Sequence, residues 1–413
     1  MSTSSKKPLL FGAMMTAGSA IGAGMFSLPI VSSGMWFPLT LASLFVIWAI
    51  SYLSSLMIME VSLEFPIGTS FNTYTDKLLG KIGSLVMAFS IGFLLYILLY
   101  AYFSAFGNMM MHTLQIDTTS NNAFWSQGLL GLLLGCLLAA IVWMSTVSVG
   151  RISTILVVAM VVSFIISVSG TFSHINPTQL FKAPPAGDTY APYLWAALPY
   201  FITSFGFSSM VPSLYKYYGL DIPKIKGSLF YGSILALITY LVWISVCFGV
   251  IPRPEFEAIN AAGGNMGDLV GALEQKIGNT TIQSALTLFS NFAIISSFLG
   301  VGLNLFDYIA DRFHFENDAK GRFYTACITF LPPGFASVFF PHGFIAAIGF
   351  AGLVVATGYF ILPFLMVWKL RATDKITHYQ LSGGKPLLIV VLVLSLITAI
   401  CHILAMLDYL PKL

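Results

Sequence analysis

Gly18, Gly22 and Gly24 lie close together in one long apolar run, and Pro29 follows the last of them. A second apolar run carries Ser204, Gly206, Ser208 and Ser209 between Pro199 and Pro212. None of these residues makes or breaks a covalent bond. Their chemistry is that of exposed backbone. Where a helix is interrupted, the N-terminal end of the next half-helix presents free N–H groups and positive potential, which suit a carboxylate. The C-terminal end of the preceding half presents carbonyls, which suit a cation. A zwitterion needs both. In hydrocarbon each unsatisfied backbone group costs several kcal/mol, so such a break persists only where something polar meets it. The competing explanation is close helix packing, because Gly18 and Gly22 form a small-xxx-small pair. Packing alone requires neither Gly24, on a different face, nor a matching break in the second run. A nucleotide-binding glycine loop follows a strand, and these glycines do not.

The elements that hold these breaks must be membrane helices. The chain has 413 residues, of which 57% are hydrophobic and 8% charged, against roughly 25% charged in soluble proteins. Its mean hydropathy is +0.87. Lipid is therefore its solvent. No cleavable signal peptide is expected, since Lys6 and Lys7 precede a run too long for one and lacking a small-residue cleavage site. Cys136, Cys247, Cys327 and Cys401 lie in apolar runs at no metal-like spacing and read as small buried hydrophobes. No basic stripe points to nucleic acid, and no cofactor is expected.

A spanning helix needs about 20 apolar residues. Eleven runs qualify: 9–33, 36–59, 84–107, 124–146, 152–173, 191–214, 227–251, 282–308, 322–341, 343–368 and 386–408. They are too long and uninterrupted for the strands of a barrel. With the N-terminus in the cytoplasm, all of the 19 lysines and arginines except Lys182, Arg253, Lys276 and Lys412 fall inside, as the positive-inside rule asks. The C-terminus is then outside, which is the periplasm in a bacterial inner membrane. The broken runs are the first and the sixth. They are five helices apart, an odd number, so a second block of five runs inverted relative to the first. Paired interrupted segments in two such halves point to a transporter binding site. The expected organisation is a tail at 1–8, repeats at 9–173 and 191–368, and an appended helix at 386–408. Within the outer loop 252–281, "NMGDLVGALEQKIGN" has the spacing of an amphipathic lid helix, the alternative being a solvated loop.

A set of segments extends this picture: "IGAGMFSLP" (21–29), "SGMWF" (33–37), "IGTSFNTYTDKLLGK" (67–81), "LYILLYAYFSA" (95–105), "YAPYLWAALP" (190–199), "SFGF" (204–207), "VPSLYKYYG" (211–219), "IPRPEF" (251–256), "SNFAIISSFLGVGLNLFDYIAD" (290–311) and "GGKP" (383–386). Together they resemble the bacterial hydroxy/aromatic amino acid permeases of the amino acid–polyamine–organocation superfamily, and within them the tryptophan permease subgroup. The resemblance implies a leucine-transporter-like fold. It also implies import of an aromatic amino acid, tryptophan or tyrosine foremost, across the inner membrane by ion-driven alternating access. The backbone at Gly22, Ala23 and Gly24, flanked by Ile21 and Met25, would meet the substrate carboxylate. Ser204, Phe205, Gly206 and Phe207 would meet its amino group and ring. Tyr96 and Tyr100 share a helix face and would close one side; the alternative is that they pack or face lipid.

Two positions depart from the family pattern. Ser208-Ser209 stands where relatives carry a histidine. Met160 stands where proton-coupled relatives carry a helix-five lysine. No other ionisable residue falls at mid-membrane, where proton relays usually sit. Glu60, Asp307 and Asp311 end their helices near the cytoplasm and read as solvated or capping groups. His112, His174 and His342 read as outer loop residues. Ser296 and Ser297, with carbonyls near Gly18 and Ile21, resemble a sodium site, unless the serines merely bond back to their own helix. Proton symport is the expectation, with sodium symport or exchange as the alternative. A more distant alternative is an intramembrane protease, with "GFSS" (206–209) as nucleophile and His402 as base.

Overall fold

The computed structural model describes residues 7–116, 123–184, 189–373 and 378–413; Lys6, Lys375 and most of the 1–8 tail lie outside the described residues. All regular elements among the described residues are helices. Most are apolar on every side, as expected of helices buried in a bundle or facing lipid.

The first run is broken, as its glycines predict. Helices α1 (Leu9–Ala20) and α2 (Ala23–Ser32) are separated by Ile21 and Gly22, and the axis bends by 49°. Next come α3 (Trp36–Ser62) and α4 (Phe71–Thr113). Gly80 kinks α4 with a φ of 78°, a left-handed conformation natural to glycine. The chain continues through α5 (Ala123–Met144), α6 (Thr146–Thr171) and the short α7 (Pro177–Leu180). The sixth run is also interrupted. Helix α8 (Tyr193–Ser204) gives way at Phe205 to a 3-10 turn, Gly206–Met210, and then to α9 (Val211–Tyr218). Helix α10 (Ile222–Val250) precedes a connection containing α11 (Arg253–Ala261) and α12 (Met266–Lys276), and α12 is the amphipathic helix expected there. The remainder is α13 (Thr280–Phe313), α14 (Ala319–Phe339), α15 (Phe344–Ala356) joined by a wide π turn to α16 (Leu362–Arg371), and α17 (Gly384–Met406).

Among the described residues, nine helices are long and apolar enough to cross a membrane, and the bent pair α1–α2 makes ten. The helix missing from the expected eleven is α14. Lys320, Arg322, Pro332 and Pro333 make it less apolar than the others. Its placement is nevertheless that of α5. Arg322 donates to the carbonyls of Trp143 (2.8 Å) and Val142 (2.9 Å) at one end of α5, and Gln127 near the other end donates to the Pro341 carbonyl (2.8 Å). The two helices therefore lie antiparallel along their full length.

The two ends of the bundle are fastened differently. At one end Glu60 is wholly buried, not solvated as its position suggests. Its carboxylate accepts from Arg371 Nε and Nη2 (2.7 Å each) and from the Leu381 N–H (2.8 Å). This cage ties α3 to α16 and to the segment before α17. At the opposite end Trp36 stacks on Phe248, 4.6 Å between centroids, and its indole N–H donates to the Gln179 carbonyl.

Candidate substrate site at the paired helix breaks

The two breaks meet in the middle of the bundle. A β-carbon on Gly24 would lie 2.4 Å from Ser204 Oγ and 2.8 Å from Ser204 Cα. Only glycine lets α2 approach α8 this closely. A β-carbon on Gly22 would lie 3.2 Å from Ser297 Oγ and 3.6 Å from the Tyr102 hydroxyl. Helices α13 and α4 thus close over the first break. Helix α2 begins at Gly22 with no side-chain cap, so its first N–H groups are available to an anion, with Met25 N–H turned back onto the Gly22 carbonyl at 3.0 Å.

Below the breaks, Tyr240 of α10 is wholly buried. Its hydroxyl lies 2.6 Å from the Ala20 carbonyl and 2.8 Å from the Ser204 carbonyl. These are the last carbonyls of α1 and α8, so one side chain holds the C-terminal ends of both first half-helices. Phe205 packs edge-on against the same ring at 5.2 Å. Phe207 and Met25 are buried, while no atom lies within 4 Å of where a Gly206 β-carbon would be, so this turn borders open space.

The predicted residues divide accordingly. Ile21, Gly22, Gly24, Ser204 and Ser297 gather at the breaks, with Ala23 in the first turn of α2. Tyr96 and Tyr100 are not brought there. Their hydroxyls donate to the carbonyls of Ile328 (2.8 Å) and Phe340 (2.7 Å), and their rings line an open apolar groove against α14. The tyrosine at the break is Tyr102, on a different face of α4. Ser296 bonds back to the Ala293 carbonyl at 3.2 Å, and the Gly18 position borders open space. Ser208 donates to the Ser51 carbonyl and Ser209 to the Gly206 carbonyl, so neither serine is paired with His402 as a protease would require. Sequence reasoning missed Tyr102 and Tyr240. Their distances from the breaks along the chain leave no local signal.

Met160 is buried on α6. One turn further on, Phe164 packs against Phe289 (5.1 Å) and Trp243 (6.4 Å). The position of the family lysine is thus followed by an aromatic cluster. Among the described residues no group of three histidine, cysteine, aspartate or glutamate side chains is arranged to hold a metal. Helix α13 leads away from Ser297 along Gly300, Asn304, Asp307 and Asp311, all exposed and all on one side of the helix.

A multi-pass membrane protein in which two interrupted helices present opposed half-helix ends to a common point is built as a solute transporter. The chain belongs to the tryptophan/tyrosine permease family, whose profile matches residues 5–402. It is 44% identical over 411 residues to a tryptophan-specific transport protein of Pseudomonas aeruginosa, covering 99% of this chain and 98% of the relative. It is 35% identical over 409 residues to a low affinity tryptophan permease of Escherichia coli, covering 98% of each. It is 38% identical over 392 residues to a tyrosine permease of Enterobacter agglomerans, covering 94% and 93%. The family is one of transporters, not enzymes, which sets the protease alternative aside.

Proposed function

We propose that this permease imports an aromatic amino acid, tryptophan first and tyrosine second, across the bacterial inner membrane by alternating access. The meeting of the two breaks carries this reading. The uncapped start of α2 would receive the carboxylate, and the open space beside Gly206 would receive the ring. The relatives that match over nearly their whole length supply the substrate class. The transporting core is two inverted repeats of five spans, with α17 appended; counting α14, which lies along α5 end to end, gives eleven. The N-terminus is cytoplasmic and the C-terminus periplasmic. With α12 seated on α4, the periplasmic side would be shut in this state. The polar stripe from Ser297 to Asp311 faces water, because a membrane helix does not turn asparagine and aspartate to lipid.

The proposed driving ion is the proton. Sodium is the second reading, favoured by the buried Met160 in place of a lysine and by the Ser297 hydroxyl beside Gly22. Uptake of labelled tryptophan into proteoliposomes, with tyrosine and phenylalanine as competitors, tests both. Accumulation is expected with an imposed proton gradient alone. Accumulation with sodium alone would make Ser297 an ion ligand, and no uptake of any aromatic amino acid would remove the substrate assignment.

Tyr240→Phe provides a second test. It removes the one donor that the buried Ala20 and Ser204 carbonyls share, at a cost of about 1–3 kcal/mol. An initial uptake rate lowered at least tenfold is expected, with unchanged expression in the membrane. An unaltered rate would show that the hydroxyl is dispensable.

A further inference from the structure

We propose that Asp268 on the outer loop is a proton-binding site whose occupancy closes the periplasmic lid. The inference rests on reading α12 as the outer lid of an importer.

Two glycines of α12 seat it on α4. A β-carbon on Gly267 would lie 2.4 Å from Asn108 Oδ1, and one on Gly271 would lie 2.9 Å from His112 Nε2. Gly267 and Gly271 are one turn apart, as are Asn108 and His112, so two short faces mate directly. The contact is polar. Gly267 N–H donates to Asn108 Oδ1 (2.7 Å), and Asn108 Nδ2 lies 3.5 Å from Asp268 Oδ2. Seating α12 therefore leaves the Asp268 carboxylate half-buried, with only the long Asn108 contact among side chains in return.

The other charged groups facing this contact are already engaged. Glu274 of α12 lies 3.4 Å from His112 Nε2 and accepts from Thr287 of α13. Gln283 of α13 donates to the Glu274 and Ile277 carbonyls. On α11, Glu255 pairs with Lys276 at 2.6 Å, and Arg253 reaches the Gly34 carbonyl and the rings of Tyr190 and Tyr193. His342 lies 3.4 Å from Asn265, and burial lowers its pKa. Helix α2 carries no ionisable residue, and the outer part of α10 (241–250) carries only the buried Cys247. No cation pairs directly with Asp268 among the described residues.

Burial raises the Asp268 carboxyl from 3.8 to about 6, against smaller lowering contributions from Asn108, the Asn265 backbone and His112. The sign follows from linkage. The seated lid holds the proton more tightly than the open one, so closure takes up a proton between about pH 4 and 6. It is favoured as the outside acidifies and loses that support above about 6. Lowering the pH from 7.5 to 5 shifts the closed-to-open ratio by about tenfold. A proton-rich periplasm thus helps shut the lid.

The test is a distance measurement between nitroxide labels on Leu114→Cys and Gln275→Cys, in full-length protein in nanodiscs with Cys136 replaced by serine. In the parent, the short-distance population is expected to rise as the pH falls from 7.5 to 5. In Asp268→Asn it is expected to stay high at both pH values. Asp268→Ala, which also cannot titrate, is read alongside in case the amide perturbs folding, and is expected to show no pH response. Glu274→Gln is expected to keep the response. A parent without a pH response, a response surviving in both Asp268 variants, or a response lost in Glu274→Gln would overturn the assignment. Because no substrate is present, the result is independent of which amino acid is carried.

Discussion

Gly24→Leu will abolish uptake while leaving the protein assembled in the membrane. The clash is with the backbone. A β-carbon at this position would lie 2.8 Å from Ser204 Cα, an atom that no rotamer change can move. Forcing extra carbons into a packed interior typically costs about 1–3 kcal/mol. Here that cost falls on the contact between the two broken spans, so α2 and α8 must part. The rest of the bundle rests on long helix pairs that do not involve Gly24. A loss of at least thirtyfold in initial uptake rate is expected, with a monodisperse elution profile in detergent. Normal transport by this variant would sink the binding-site assignment. Loss of assembly together with transport would instead mean that Gly24 serves packing alone.

The largest effect on stability is expected from the Glu60 cage. Arg371→Ala leaves a fully buried carboxylate with the Leu381 N–H as its only remaining donor from the cage. Removing one partner of a buried ion pair costs about 3–5 kcal/mol, whereas replacing both by apolar side chains of similar size is often neutral. Arg371→Ala is therefore expected to lower the midpoint of thermal unfolding in detergent markedly. The double variant Glu60→Met, Arg371→Met is expected to recover most of the loss. A single variant as stable as the parent, or a double variant worse than the single, contradicts the pairing.

What the sequence made legible was punctuation. Glycine, proline and serine inside apolar runs mark both breaks, because no uninterrupted membrane helix needs them in that combination. The polar spacing of 266–276 marks α12 for the same reason, since a water-facing helix must alternate. What was not legible was rotation. Over 82–107 helix α4 is apolar on every side, so nothing in its sequence says which tyrosine faces the bundle; Tyr96 and Tyr100 turn toward α14, and Tyr102 toward the break. Long-range pairing was hidden as well. Glu60 and Arg371 lie 311 residues apart, and a helix-terminal glutamate looks the same whether it ends in water or in a cage. Helix α14 reads as a span by its length alone, and its charges and paired prolines make it the least membrane-like of the eleven runs.

Tyr240 has one hydroxyl hydrogen and two carbonyls within its reach, at 2.6 and 2.8 Å. The hydrogen serves one of them at a time, by a rotation about the C–O bond. If α1 swings away during transport, the hydrogen can remain on Ser204; if α8 moves, it can remain on Ala20. Neither motion strands the donor. The hydroxyl acts as a pivot that lets go of one arm without releasing the other, so the barrier to moving a half-helix is that of an exchange and not of a rupture. A transporter that must leave each state in turn gains from such a hinge pin, since a pair of separate, fully formed bonds would hold both states too firmly to leave either.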